Sequence, residues 1–248
     1  MRRWMLLVLV LLTGNVLASP PAEISANAQS LHQLRSAGFA LSANLLVYFN
    51  FEYGRAQEAS NHEQYREALR VLREGAASLG GAERHKVGQI EAWVADLEEH
   101  AGEPTYPFSI SLNRILEAHS QLDGLLGERY RASAGSISRS QSELNALSLD
   151  ASRMQLLYLT FTFRTLIVYI MDSDDGTVAA LNQRIEDGFS RLALESPEAV
   201  TQVQKARMSY VFVRERMEQL DKSWLPNSVE YYMRRVVRLL DQAAVSVG

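Results

Sequence analysis

The sequence predicts an all-α protein of eight helices, arranged as two tandem four-helix units or as one continuous eight-helix array. Three observations carry this prediction. Apolar residues recur every three or four positions along most of the chain, which is the helical period. Only six prolines and 14 glycines occur in 248 residues, leaving room for long helices. The two halves also resemble one another, as expected of a duplicated helical unit.

The first helix carries alanines at 37, 40 and 43 and weakens between Gly54 and Asn61. Ser60 or Asn61 is placed to cap the second helix, which ends at Gly80-Gly81. Val87, Ile90, Trp93, Val94 and Leu97 form the stripe of the third, between Ala82 and His100. The loop Gly102–Pro107 follows, with Ser109 as a candidate cap for the fourth helix. That helix presents Leu112, Ile115, Leu116, His119, Leu122, Leu126 and Tyr130 on one face.

Ala132 to Ser136 breaks the pattern before a long fifth helix, read as continuing through Leu166–Met171. Asp172–Gly176, Ser196-Pro197 and Trp224-Leu225-Pro226 separate the remaining three. The seventh is marked by Val203, Ala206, Tyr210, Val213, Met217 and Leu220, the eighth by Tyr232, Val236, Leu239 and Leu240. Tyr48–Tyr53 and Leu159–Phe163 alternate large apolar with polar residues, the strand period. No turn signal separates either run from its helical neighbours, so both are read as helix.

The internal similarity aligns Leu46–Tyr53 with Leu156–Phe163 at a spacing of 110 residues. At 113 it matches Gly75 with Gly188 and Leu79 with Leu192. A division follows: residues 1–18 as a cleaved signal peptide, 19–132 as one helical unit and 133–248 as the other.

The signal peptide is read from Arg2-Arg3, the apolar run Met5–Leu12, and small residues at −3 and −1 in Val16-Leu17-Ala18. Eight apolar residues fall short of the roughly 18 to 20 that span a bilayer. The expectation is therefore a bacterial periplasmic or secreted protein with no transmembrane segment in the mature chain. Removing Arg2 and Arg3 leaves 23 basic against 29 acidic side chains, a balance of −6. That argues against nucleic acid, which rewards a basic face. The chain has no cysteine, so disulfides, thiolate metal sites and cysteine nucleophiles are excluded.

No catalytic pattern emerges. There is no Gly-x-Ser-x-Gly elbow, P-loop or Gly-x-Gly-x-x-Gly turn. His62-Glu63 opens like a zincin motif, but Arg66 stands where the second histidine belongs. Histidines 32, 62, 85, 100 and 119 are never three or four apart, so no metal and no cofactor is expected. Asp172, Asp174 and Asp175 lack the register of a calcium loop and read as helix-capping residues. His119 reads as a core histidine, with a pH-responsive switch as the sharper alternative. Arg234, Arg235 and Arg238 read as a solvated face, with helical ion pairs from Glu230 to Arg234 and from Arg238 to Asp241.

Arg164 interrupts an otherwise nearly uncharged aromatic stretch from Met154 to Met171. A guanidinium in such a helix either snorkels to solvent or faces an acid or a bound anion. With Thr160, Tyr158 and Tyr48 it forms the ligand site that the sequence proposes. The function expected is an exported binding or adaptor protein. It would engage an envelope protein partner or a small anionic ligand through helix faces or inter-helix grooves. The alternative is a hydrolase or lyase-type enzyme with a site assembled by the fold, Arg164 holding an anionic substrate.

Overall fold

A computed structural model describes residues 27–50, 59–103, 105–163, 166, 178–218 and 225–248. Every regular element among them is helical. The elements are α1 (Ala28–Tyr48), α2 (Ala59–Ala76), α3 (Gly81–Glu99), α4 (Phe108–Ser133), α5 (Arg139–Phe161), α6 (Val178–Glu195), α7 (Val200–Glu218) and α8 (Pro226–Ser246). A single 3₁₀ turn, Ala134–Ser136, joins α4 to α5. No helix among the described residues is long and apolar enough to cross a membrane.

Both halves follow one packing plan. In each, the first helix packs on the second and the fourth, and the third packs on the fourth. The halves meet mainly through α1 against α5, with α8 also touching α1. These two central helices run in the same direction. Gln29 meets Gln141 and Asn145 at their N-terminal ends, and Asn50 donates to Thr162 Oγ1 beyond their C-terminal ends. Buried on nearly all sides, α1 and α5 carry little amphipathic contrast, as helices in the middle of a bundle should.

Burial fixes the register of the repeat. Leu31, Leu34, Leu41 and Leu46 of α1 are buried as Leu144, Leu147, Met154 and Leu159 are in α5, a spacing of 113. Packing agrees: Gly75 lies against Leu34, and Gly188 lies against Leu147. The spacing of 113 is thus the one that packing repeats. The spacing of 110 misplaces α5 by three residues. Tyr158 then answers to Leu45, and Tyr48 to Phe161. One helical turn leaves an apolar run looking similar, which is why sequence similarity alone slipped by that amount. In α4 and α8 the pairs Ile115/Met233 and Leu122/Leu240 set a spacing of 118.

Several boundaries differ from the sequence reading. α5 stops at Phe161: Thr162 and Phe163 close a tight turn, their N–H groups donating to Leu159 and Thr160, and Thr162 Oγ1 donates to the Leu159 carbonyl. α1 likewise stops at Tyr48, the Phe49 N–H donating to Leu45. The longest helix is α4, with 26 residues. It begins at Phe108, so Ser109 lies inside it. Asn61 is no cap either. It lies inside α2, buried, and donates to Asn44 Oδ1. Among the described residues, Asn27 caps α1 and Ser138 caps α5 with side-chain bonds.

Candidate functional site

Arg164 lies outside the described residues, as do Thr165 and Asp172–Gly176. Its three proposed companions have structural roles. Thr160 is buried and donates to the Leu156 carbonyl one turn back. Tyr158 is buried, and its hydroxyl accepts the Leu225 N–H at the start of α8, 2.9 Å away. Tyr48 packs edge-on against Phe49 and Tyr65 and tilts against the His62 ring, so His62 belongs to an aromatic cluster. No group of three metal-ligating side chains assembles among the described residues.

The densest polar chemistry lies along the α1–α5 seam. Arg35 donates to both oxygens of Asp123 from one edge of its guanidinium, Nε at 2.6 Å and Nη2 at 3.1 Å. Arg153 of α5 stands 3.8 Å from the same carboxylate and pairs with Asp150 at 3.2 Å. Burial alone would raise the Asp123 carboxyl, but the bond and charge of Arg35, with His119 and Arg153, hold it below the usual range. One turn before, His119 is fully buried beside Ser42, with its ring edge-to-face on Phe39. Desolvation pushes the imidazole down to about 4. Asp123 pulls the other way, while Arg35 and Arg153 oppose protonation. His119 is therefore a neutral core residue, as the structural reading expected.

Asp241 completes the seam from the other side. Its Oδ1 accepts from Ser148 at 2.6 Å and lies 2.8 Å from His32 Nε2, and its Oδ2 accepts from Ser36 at 2.8 Å. The sequence assigned this carboxylate to Arg238. The tertiary fold turns it inward, because two hydroxyls and a buried imidazole from α1 and α5 converge on it.

That inward turn leaves Asp241 on the wall of a groove. It lies between α1, α2 and α8 and encloses about 750 Å³. Gln33, Ser36 and Ala40 form its α1 wall, and Gln64 contributes from α2. On α8, Tyr231, Arg234, Arg235, Arg238 and Val245 line the opposite side, together with the partly exposed carboxylate of Asp241. Arg234 forms the expected ion pair with buried Glu230 at 2.9 Å, although its alignment falls short of a hydrogen bond. Arg235 and Arg238 are exposed, and neither joins an ion pair among the described residues. Other arginines are paired: Arg35 with Asp123 on the seam, and Arg153 and, from α6, Arg184 with the shared Asp150.

The internal repeat supplies a comparison within the molecule. By the spacing of 118, Arg235 and Arg238 answer to Glu117 and Ser120 on α4. By the spacing of 113, small Ala40 answers to Arg153, whose long side chain is tied to Asp150. The second half thus lends α8 free positive charge where α4 has none, and the first half leaves the groove wall open. The sequence signal for this site was the triple arginine itself. Its α1 and α2 walls are separated from it by about 170 to 200 positions, so no spacing rule could join them.

Fold and site together define a class: an all-helical, eight-helix protein whose two halves share a packing plan, with an arginine-lined groove beside their seam. No protein-family model matches this chain, and neither a curated protein nor a solved structure is similar to it.

Proposed function

We propose that this is an exported binding protein of a bacterial envelope, and that its α1–α2–α8 groove holds an anionic group. The carrying observation is that Arg235 and Arg238 face the groove and join no ion pair among the described residues, while Asp241, the acid that shares the groove, is engaged by Ser36, Ser148 and His32. Two such guanidiniums, one helical turn apart, repel one another, and a bound carboxylate or phosphate relieves that repulsion. The volume of about 750 Å³ falls in the range of ligand-binding clefts. Export rests on the Arg2-Arg3, Met5–Leu12 and Val16-Leu17-Ala18 layout.

Titration calorimetry of the purified chain with citrate, inorganic phosphate and tetraglutamate at low ionic strength tests this reading. Binding of at least one anion that disappears in an Arg235→Ala/Arg238→Ala variant is the expected result. Absence of binding by all three, or binding indifferent to the two arginines, refutes it.

A further inference from the structure

We infer that the occupant of this groove is an acidic amphipathic helix from a protein partner. The inference rests on the anionic-groove reading and adds a second observation, the surface beside it. Tyr231 belongs to the groove wall, and its ring packs at 5.2 Å on Tyr232. The Tyr232 ring in turn lies 4.4 Å from Phe212 on α7. Phe212 is 66 % exposed and Met208, one turn earlier, is 74 % exposed, so an apolar ridge continues directly from the basic groove. Large exposed apolar side chains joined in one patch mark an interaction surface more often than a bare monomer face. A small anion would satisfy the arginines and leave this ridge wet. A ligand with an acidic stripe and an apolar stripe covers both.

Dimension and backbone chemistry select a helix. From Tyr231 to Val245 the α8 wall rises about 21 Å, the length of roughly 14 helical residues. Arg235 and Arg238 sit one turn apart, matching acidic residues at i and i+3 or i+4 on a helix laid alongside. A peptide that binds as an added strand needs a sheet edge to take up its backbone N–H and C=O groups, and the described residues offer no strand. A helix brings those bonds satisfied within itself.

The experiment pans a display library of random peptides, about 16 residues long, against the purified full chain. Enriched sequences are then synthesised and titrated by fluorescence anisotropy. The expected winners carry Asp or Glu and Leu or Phe at helical spacing. Their affinity should fall at least about tenfold in Arg235→Glu/Arg238→Glu and again in Phe212→Ser. All these positions are exposed, so circular dichroism should show the fold intact, with at most a small loss of melting temperature in Phe212→Ser from its Tyr232 contact. Winners lacking acidic residues, or indifferent to both variants, overturn the inference. No peptide enrichment, with citrate still bound through Arg235 and Arg238, overturns it and leaves the anionic-groove reading standing. Charge-dependent binding to phosphatidylglycerol vesicles without peptide enrichment overturns it in favour of a lipid surface. Loss of every ligand removes both readings.

Discussion

Asp123 on α4 and Asp241 on α8 occupy equivalent places in the two halves, 118 residues apart, and each clamps both central helices. Asp123 accepts from Arg35 of α1 and faces Arg153 of α5. Asp241 accepts from Ser148 of α5, the counterpart of Arg35, and crosses to His32 and Ser36 of α1. One carboxylate from each fourth helix therefore fastens the two halves together. The chemistry has diverged: a guanidinium pair on one side, a hydroxyl and imidazole network on the other.

That difference orders the cost of breaking each clamp. Asp123→Ala strands a guanidinium only 9 % exposed and should cost on the order of 3 to 5 kcal/mol. Asp241→Ala strands two hydroxyls and an imidazole nitrogen, and Asp241 is itself a quarter exposed, so the loss should be about 1 to 3 kcal/mol. Urea unfolding of both variants gives the comparison. Equal losses would show that the Arg35 charge is not the governing difference.

Acid should weaken the fold through His119. Burial holds the folded imidazole at about 4, whereas in the unfolded chain it titrates near 6.5. Between those values the unfolded state binds a proton that the native state refuses, so stability falls as pH falls. The contribution is intact above pH 6.5, and about 3 kcal/mol of it is gone by pH 4. Unfolding free energies measured from pH 7 to 4 should show this slope, flattened in His119→Leu. An unchanged slope in that variant would place the acid sensitivity elsewhere.

Gly38 and His119 should behave as one packing unit. A Cβ on Gly38 would stand 2.8 Å from the His119 ring atoms Cδ2 and Nε2, inside contact distance. Gly38→Ala should therefore destabilise by about 1 to 3 kcal/mol, despite the better helix propensity of alanine. Adding His119→Ala should return part of that loss. Thermal melts of the two single variants and the double variant measure the coupling, and strict additivity would contradict the contact.

Tyr158, a ligand contact in the sequence reading, bonds the start of α8. Its hydroxyl stands in for a side-chain cap, because Leu225 at the N-cap position supplies none. Tyr158→Phe should cost about 1 kcal/mol of stability and leave citrate binding in the groove unchanged. A lost citrate signal with stability intact would return Tyr158 to the ligand site.

The export proposal has its own measurement. Mass spectrometry of the protein recovered from its native envelope should find a chain beginning at Ser19. A chain beginning at Met1 would reject cleavage.

Local physics made much of this molecule legible in its sequence. Apolar residues at helical spacing, such as Val87, Ile90, Val94 and Leu97, determine helices because only that period gathers them on one face. All four are buried in α3. The arginine row of α8 and its pair with Glu230 were equally readable, being set by spacing within one helix. What the tertiary structure alone decided was where each polar group turned. Asp241 could pair along α8 with Arg238 or across the seam with His32, Ser36 and Ser148, residues about 90 to 210 positions away. Helical spacing permits the first pairing. The second wins because a buried imidazole and two hydroxyls, already brought together by packing, converge on one acceptor. That choice leaves Arg238 facing the groove without its helical partner, which turns a solvated face into a candidate binding site.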